Sequence, residues 1–99
     1  MGNFCGSQAS LSDRQFELFV QRSSSEFSSQ QMSSFQRLIQ TNFRKAIVFD
    51  QQIPAGPPEM FTVILGVHFV HVSARDGEVS RCAQQIIDKI TGLLLDPRA

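Results

Sequence analysis

The sequence lacks any excess or block of charge. Nine basic and nine acidic side chains cancel to a formal net charge of zero, and they are scattered along the 99 residues. A basic stripe is the usual electrostatic footprint of proteins that bind nucleic acids or anionic bilayers. We therefore expect no nucleic-acid partner. A chain of this length predicts a single domain with one modest core.

Cysteine is scarce. The two cysteines, Cys5 and Cys82, lie near opposite ends of the chain and do not have metal-ligand spacing. This pattern argues against a disulfide scaffold and against a zinc site. We expect a protein of a reducing compartment, the cytoplasm, with no metal and no cofactor.

The sequence also lacks a long hydrophobic run. The longest nearly uninterrupted one, residues 60–74, has 15 residues and contains His68 and His71. A bilayer span needs about 20 apolar residues, so this run is too short and too polar to be one. The N-terminus has neither the charged start nor the apolar stretch of a signal peptide, which again favours a cytoplasmic location.

Motifs of catalysis and nucleotide binding are missing. There is no G-x-S-x-G motif and no glycine-rich phosphate loop. On one extended strand, His68 and His71 would point to opposite faces and could not share a metal ion. Cys82 falls on the apolar side of a predicted helix, where a thiol acts as a small buried hydrophobe. We therefore expect a protein that is not an enzyme.

Two runs rich in apolar and β-branched residues stand out. They are residues 46–53 and residues 60–72, joined by Pro54-Ala55-Gly56-Pro57-Pro58. Proline cannot donate to a strand ladder, so this pattern predicts two antiparallel strands in a β-hairpin. The second run either stays extended to Val72 or bends at Gly66 into a third strand.

A different composition precedes these runs. Between Ser7 and Gln40, 17 of 34 residues are serine or glutamine, yet the phenylalanines keep a helical spacing. Phe16, Phe19 and Val20 predict a first helix over residues 13–22, with Ser12 as its cap. A second helix is predicted from about Ser28 to residue 42, after a break at residues 23–25; a single bent helix is the alternative.

The C-terminal part carries the clearest pattern. Apolar residues recur at helical spacing from Val79 to Leu94, which predicts an amphipathic helix over residues 78–95. The predicted class is α+β: two N-terminal helices, an antiparallel hairpin or three-stranded sheet, and this C-terminal helix. Residues 1–11 are expected to be flexible, residues 12–96 to form one domain, and residues 97–99 to be a tail.

The second run predicts a partner. It is apolar on both of its faces, and a two-stranded or three-stranded sheet with few helices cannot cover both. We therefore expect a homodimer or a complex with another protein. The candidate partner-binding residues are Ile64, Phe69, Val70 and Val72.

The first residues resemble a lipid-attachment signal. In Met1-Gly2-Asn3-Phe4-Cys5, Gly2 would accept myristate after removal of Met1, and Cys5 would accept palmitate. Two chains hold a protein on a membrane far better than one. Gly6 stands where serine or threonine is preferred, and no basic cluster follows. A membrane association is therefore expected only if Gly2 and Cys5 are acylated.

Part of the chain resembles double-stranded-RNA-binding domains. The similarity lies in Gly-Pro-Pro at residues 56–58, Phe-Thr-Val at residues 61–63 and the closing helix, about half of the chain. It implies a fold of one helix, three strands and a second helix. Such domains grip phosphates with a lysine pair at the start of the last helix, where this chain has Glu78, Ser80 and Arg81. The resemblance therefore implies a degenerate member that binds protein and dimerises.

A shorter stretch is similar to cystatin-type inhibitors of cysteine proteases. Gln-Ile-Pro-Ala-Gly at residues 52–56 resembles the Gln-x-Val-x-Gly hairpin that these inhibitors wedge into a protease cleft, with Pro54 in place of valine. Phe-Val-His at residues 69–71 resembles part of a later strand. A helix is predicted where cystatins have further strands. This resemblance implies inhibition of a papain-like protease through residues 52–56.

Overall fold

The computed structural model describes residues 14–95, which form an α+β fold with a four-stranded mixed sheet and three α-helices. The candidate acylation sites Gly2 and Cys5 lie outside these residues, as do the predicted flexible segment 1–11 and the tail 97–99. The predicted class is confirmed. Several of the predicted elements are not.

Strand β1, Phe16–Arg22, replaces the first predicted helix, so that prediction is wrong. Phe16, Leu18 and Val20 alternate with the exposed Glu17 and Phe19, and Leu18 and Val20 are fully buried. This period of two is the pattern of a strand with one covered face. The same segment also fits a helical spacing, and the pairing of β1 with strands on both sides decides between the two.

Helix α1, Glu26–Asn42, confirms the second predicted helix and begins slightly earlier than expected. Ser25 is its N-cap, and the Ser25 side chain accepts a hydrogen bond from the Ser28 backbone N–H at 3.2 Å. The apolar stripe on α1 enters the core through Met32, Phe35 and Ile39. The serine-rich break therefore separates a strand from a helix rather than two helices.

Strand β2, Ala46–Gln52, runs parallel to β1, with Phe16 opposite Ala46 and Arg22 opposite Gln52. The strand order is β2-β1-β3-β4, where β3 is Phe61–Leu65 and β4 is His68–Val72. The predicted hairpin between the two apolar runs is therefore wrong, because β1 lies between β2 and β3.

The proline-rich loop crosses the end of β1 instead of making a tight turn. The backbone N–H of Ile53 donates to the carbonyl of Arg22 at 2.7 Å, and that of Ser23 donates to the carbonyl of Met60 at 3.1 Å. The Ser23 hydroxyl also donates to the carbonyl of Pro58 at 3.0 Å. These bonds fix the loop to the first residue after β1.

Gly66 makes the turn that produces a further strand, one of the two alternatives left open by the sequence. It has a φ of 65°, while Val67 has a negative φ, the pattern of a tight type II′ hairpin. Val63 pairs with His71 and Ile64 with Phe69, so Val70 is the extra residue of a β-bulge.

The last described part of the chain contains helix α2, Ser73–Asp76; a 3-10 turn, Val79–Arg81; and the longer helix α3, Ala83–Leu95. The predicted C-terminal helix is thus confirmed from Ala83 onward, and residues 79–81 wind more tightly. Ile86, Ile90 and Leu94 form the buried stripe of α3.

The core lies between the helices and one face of the sheet. Its buried side chains come from β1, β3 and β4, from helices α1 and α3 and from the segments next to these helices: Leu18, Val20, Met32, Phe35, Ile39, Phe43, Phe61, Val63, Val70, Val79, Cys82, Ile86, Ile90 and Leu94. In the described part of the chain, the opposite face of the sheet carries no helix.

Candidate interaction surface on the open sheet face

The open face carries a row of apolar side chains that crosses all four strands. Phe19 in β1 is opposite Phe49 in β2 and Ile64 in β3, and Ile64 is opposite Phe69 in β4. Directly opposed residues on neighbouring strands point to the same face. We call these four residues, together with Ile47, the open-face cluster.

The centre of the cluster is a stacked pair. The rings of Phe19 and Phe49 have their centroids 5.1 Å apart and are inclined by 15°. Even so, Phe19 is 44% exposed and Phe49 45% exposed, and Phe69 is 56% exposed. The stacking therefore covers one side of each ring and leaves the other side in water.

The surroundings of the cluster are mostly neutral. Gln21 and Gln51 lie opposite each other beside the aromatic pair, and their amides are 3.5 Å apart. Glu17, opposite Ile47, is the charged strand residue on this face. A contiguous apolar patch with a polar rim is typical of a protein-binding surface.

The predicted partner-binding residues do not all lie on this face. Ile64 and Phe69 belong to the cluster, and Val72 lies on the same side, opposite Thr62. Val70 is only 4% exposed and packs in the core, so it does not contribute to this face. The bulge turns two successive residues, Val70 and His71, inward, which simple alternation along β4 cannot predict.

Sequence analysis missed three members of the cluster, namely Phe19, Ile47 and Phe49. The helical spacing of the phenylalanines places Phe19 in a predicted helix, and the composition of residues 46–53 places Ile47 and Phe49 in a predicted hairpin with the second run. The alternation of Leu18 and Val20 with Glu17 and Phe19 is a strand signal at this position, but the residues fit a helical spacing equally well.

His71 is the centre of a buried polar group that the sequence analysis also missed. His71 is 1% exposed, and its Nε2 lies 3.0 Å from the Ser73 hydroxyl and 3.0 Å from the carbonyl of Gly77. Its Nδ1 lies 3.9 Å from a carboxylate oxygen of Asp76. The close spacing of these residues, within seven positions, was the available signal.

The geometry of this group indicates a structural role, the linking of α2 to β4. The Gly77 carbonyl can only accept a hydrogen bond, so the bond to it requires a proton on Nε2, and that nitrogen cannot then accept the proton of Ser73. Ser73 is also buried, at 6% exposure. Burial lowers the pKa of His71, which keeps the ring neutral. The group therefore fastens α2 to β4.

Asp76 contacts the same polar group from the solvent side. Arg75 donates two hydrogen bonds to its carboxylate, at 2.9 Å and 3.1 Å, and the backbone N–H of Val72 donates a third. The Arg75 guanidinium, with the help of this N–H, lowers the pKa of Asp76 to about 2. Cys82 packs beside the same turn, with its thiol 3.1 Å from the Asp76 carbonyl.

A second polar group holds β2 to β1. Arg22, at the end of β1, donates from Nε and Nη2 to the two carboxylate oxygens of Asp50, at 2.8 Å and 3.0 Å. The Arg22 side chain is 10% exposed and that of Asp50 is 31% exposed. Such a two-point contact is both strong and geometrically specific.

Residues 14–95 contain no group of three histidine, cysteine or acidic side chains placed to hold a metal ion, and none of their helices has the length and apolar character needed to cross a membrane. All buried side-chain nitrogen and oxygen atoms of this region have a hydrogen-bond partner. Hence none of them points to a missing ligand.

No family model, curated protein or solved structure matches this chain. Its function is therefore inferred from its own surfaces, among which the open-face cluster is the most distinctive.

Proposed function

We propose that this protein is a non-enzymatic protein-interaction module that binds another protein chain through the open face of its sheet. The observation that carries the proposal is the row Phe49, Phe19, Ile64 and Phe69, which crosses four strands with three phenylalanines about half exposed. Large aromatic side chains at the centre of a patch are the usual anchors of protein interfaces.

The cluster can supply useful binding energy. Full burial of a phenylalanine side chain contributes about 1.5–3 kcal/mol, and roughly half of that remains available at each of the three exposed rings. Ordering of side chains and loss of overall motion offset part of this gain. Because the rings are already held by the strands, the rigid sheet keeps the ordering cost low.

The charge of this face favours a protein partner over a nucleic acid. Aromatic sheet faces that stack bases combine their rings with basic side chains that follow the phosphates. Among the residues of the four strands, Arg22 is the basic one, and it lies on the helix-covered side, bonded to Asp50. Glu17 on the open side would repel phosphate.

The two alternative functions are not proposed. The resemblance to double-stranded-RNA-binding domains implies one helix, three strands and a second helix, and the resemblance to cystatins implies a hairpin at residues 52–56. In this fold a further strand, β1, precedes the first helix and lies between β2 and β3. Residues 53–60 are held across the end of β1 and do not form the tip of a hairpin.

Site-specific photo-crosslinking tests the proposal. A benzophenone amino acid at position 19 should give discrete adducts in an extract of the native cells, and an excess of the unlabelled protein should suppress them. The control places the same group at Ser33, an exposed position of α1 on the other side of the molecule. Adducts of equal yield at both positions, or at neither, would contradict a binding role for the open face.

A substitution provides a second test of the proposed binding surface. In a chain with the photoreactive group at position 47, Phe19→Asp should abolish the adducts without unfolding the protein, because Phe19 lies outside the core. The folded state is checked by circular dichroism. Persistence of the same adducts in the folded variant would show that the cluster does not contribute to binding.

A further inference from the structure

The two edges of the sheet are built differently. Strand β4 has five residues, contains the bulge at Val70 and runs directly into α2. Strand β2 has seven residues, keeps one unbroken register with β1, and contains no proline, glycine or lysine. Bulges, prolines and lysines are the usual protections of an edge strand, and an edge that lacks them pairs readily with another strand.

Strand β2 is also the least covered strand. It has no buried residue, whereas β1, β3 and β4 each have at least two. Ala46 and Val48 face a groove beside the end of α1, which is also lined by the buried Ile39 and Phe43 and by the polar Gln36, Gln40 and Arg44. In the described chain, β2 is therefore incompletely covered at its outer edge, on the open face and on the helix side.

We propose that two copies of this chain associate by antiparallel pairing of their β2 strands, which joins the two sheets into one of eight strands. The inference rests on the proposed function and identifies one partner of the same surface. The pairing is centred on Phe49, which lies opposite Phe49 of the second copy. Ile47 then lies opposite Gln51, Val48 opposite Asp50, and Ala46 opposite Gln52 of the second copy.

This register suits the composition of the strand. Phe49 is the middle residue of β2, so centring on it pairs all seven residues. The acidic residue of β2, Asp50, then faces Val48 and not its own counterpart, and each Asp50 keeps Arg22 of its own chain as partner. A register centred on Asp50 would place two carboxylates opposite each other, which is unfavourable.

A second copy fits this edge for two reasons. Antiparallel pairing about a two-fold axis uses the same segment on both sides, so the edge is its own complement. The chain also has no net charge that would oppose association. In the dimer the stacked pairs of Phe19 and Phe49 from both copies meet, and the two apolar rows form one continuous row across eight strands.

A matched pair of variants tests the pairing. In Phe49→Lys two lysines would lie opposite each other at the centre, and the dissociation constant of the dimer should rise at least about tenfold. Phe69→Lys places the same charge on the same face at the other edge strand and should leave the dimer intact. Analytical ultracentrifugation of the full chain measures both, and circular dichroism verifies that each variant is folded.

Cysteine crosslinking tests the register. In a Cys5→Ser background, with the buried Cys82 retained, Phe49→Cys should form a disulfide-linked dimer on mild oxidation. Ile47→Cys and Gln51→Cys should crosslink when the two variants are mixed, but neither alone, because like positions would be about four residues apart and out of reach.

Three results would overturn the inference. They are a wild-type chain that stays monomeric at about 100 µM, a dimer that Phe69→Lys weakens as much as Phe49→Lys does, and crosslinking of Ile47→Cys or Gln51→Cys with itself. The proposed function fails separately. If no photo-adducts form at position 19, the proposed function is contradicted, whether or not the chain dimerises. If the chain is monomeric but still gives those adducts, the proposed function stands and only the dimer inference fails.

Discussion

The two faces of the sheet use the same four strands but differ in what covers them. On the helix side, Phe35 and Phe61 are fully buried and touch edge-to-face, with ring centroids 5.9 Å apart. On the open side, Phe19 and Phe49 stack at 5.1 Å and remain nearly half exposed. The comparison shows that phenylalanine has two roles here: it fills the core on one face and forms a surface on the other.

A buried charge should produce the largest difference between the faces. Val70→Asp places a carboxylate in the core without a partner and should lower the free energy of unfolding by about 4 kcal/mol or more. Phe69→Asp, one residue away on the open face, should cost about 1 kcal/mol or less. Urea denaturation measures both. Similar losses in the two variants would show that the bulge does not turn Val70 inward.

Removal of an aromatic ring gives the next contrast. Phe61→Ala should cost about 3–5 kcal/mol, because it leaves a cavity in a closely packed core. At a concentration where the chain is monomeric, Phe49→Ala should cost about 1 kcal/mol, the loss of one exposed stacking contact. The midpoints of chemical denaturation report the difference. Equal costs would mean that the open face is covered when the protein is in solution.

Disruption of the Arg22–Asp50 ion pair between β1 and β2 should have an intermediate effect on stability. Asp50→Ala leaves the guanidinium of Arg22 largely buried and without its carboxylate partner. The free energy of unfolding should fall by about 2–3 kcal/mol, which is less than the loss for a fully buried ion pair because Asp50 is partly exposed. Arg22→Met with Asp50→Ala removes both charges and should recover part of the loss. A double variant less stable than Asp50→Ala would contradict this explanation.

Acidification should have a smaller effect on stability. The pKa of His71 is lowered by burial from 6.5, so below about pH 6.5 the unfolded chain takes up a proton that the folded chain does not. The free energy of unfolding should therefore fall with decreasing pH, by at most about 1.4 kcal/mol per pH unit for one proton. Asp76 adds a second loss only between pH 3.8 and about pH 2.

Substitution of each histidine in turn separates the contribution of His71 to this pH dependence from that of Asp76. His71→Gln should flatten the decline that begins near pH 6.5, whereas His68→Gln, on the exposed part of β4, should retain it. The measurement is urea denaturation at a series of pH values. A decline that survives in His71→Gln would assign it to another group.

Amphipathic spacing made α1 and α3 predictable, because their apolar residues recur at intervals of three or four over a length typical of helices: Met32, Phe35 and Ile39 in α1, and Ile86, Ile90 and Leu94 in α3. Strand β1 was not predictable, since Phe16, Phe19 and Val20 satisfy a helix as well as Phe16, Leu18 and Val20 satisfy a strand. Its pairing with residues 30 positions away in β2 and 39 to 45 positions away in β3 decides the outcome. Local sequence does not contain that information.

The candidate surface was predictable only in part. Ile64 and Phe69 could be found from the apolar character of the second run, whereas Phe19 and Phe49 depend on the strand order. A proline-rich connection allows two strands to be neighbours or to flank a third, and here the bond from Ile53 to Arg22 selects the second arrangement. The inward turn of Val70 depends on a bulge that leaves no mark in the sequence.

The position of β1 between β2 and β3 has a consequence for synthesis on the ribosome. Residues 16–52 leave the ribosome first and can form only the parallel β1–β2 pair, in which one side of β1 has no hydrogen-bond partner. That side is closed when residues 61–65 emerge and insert beside it. During this interval β1, which is an interior strand of the finished sheet, has one unpaired edge, and that edge can pair with a strand of another chain.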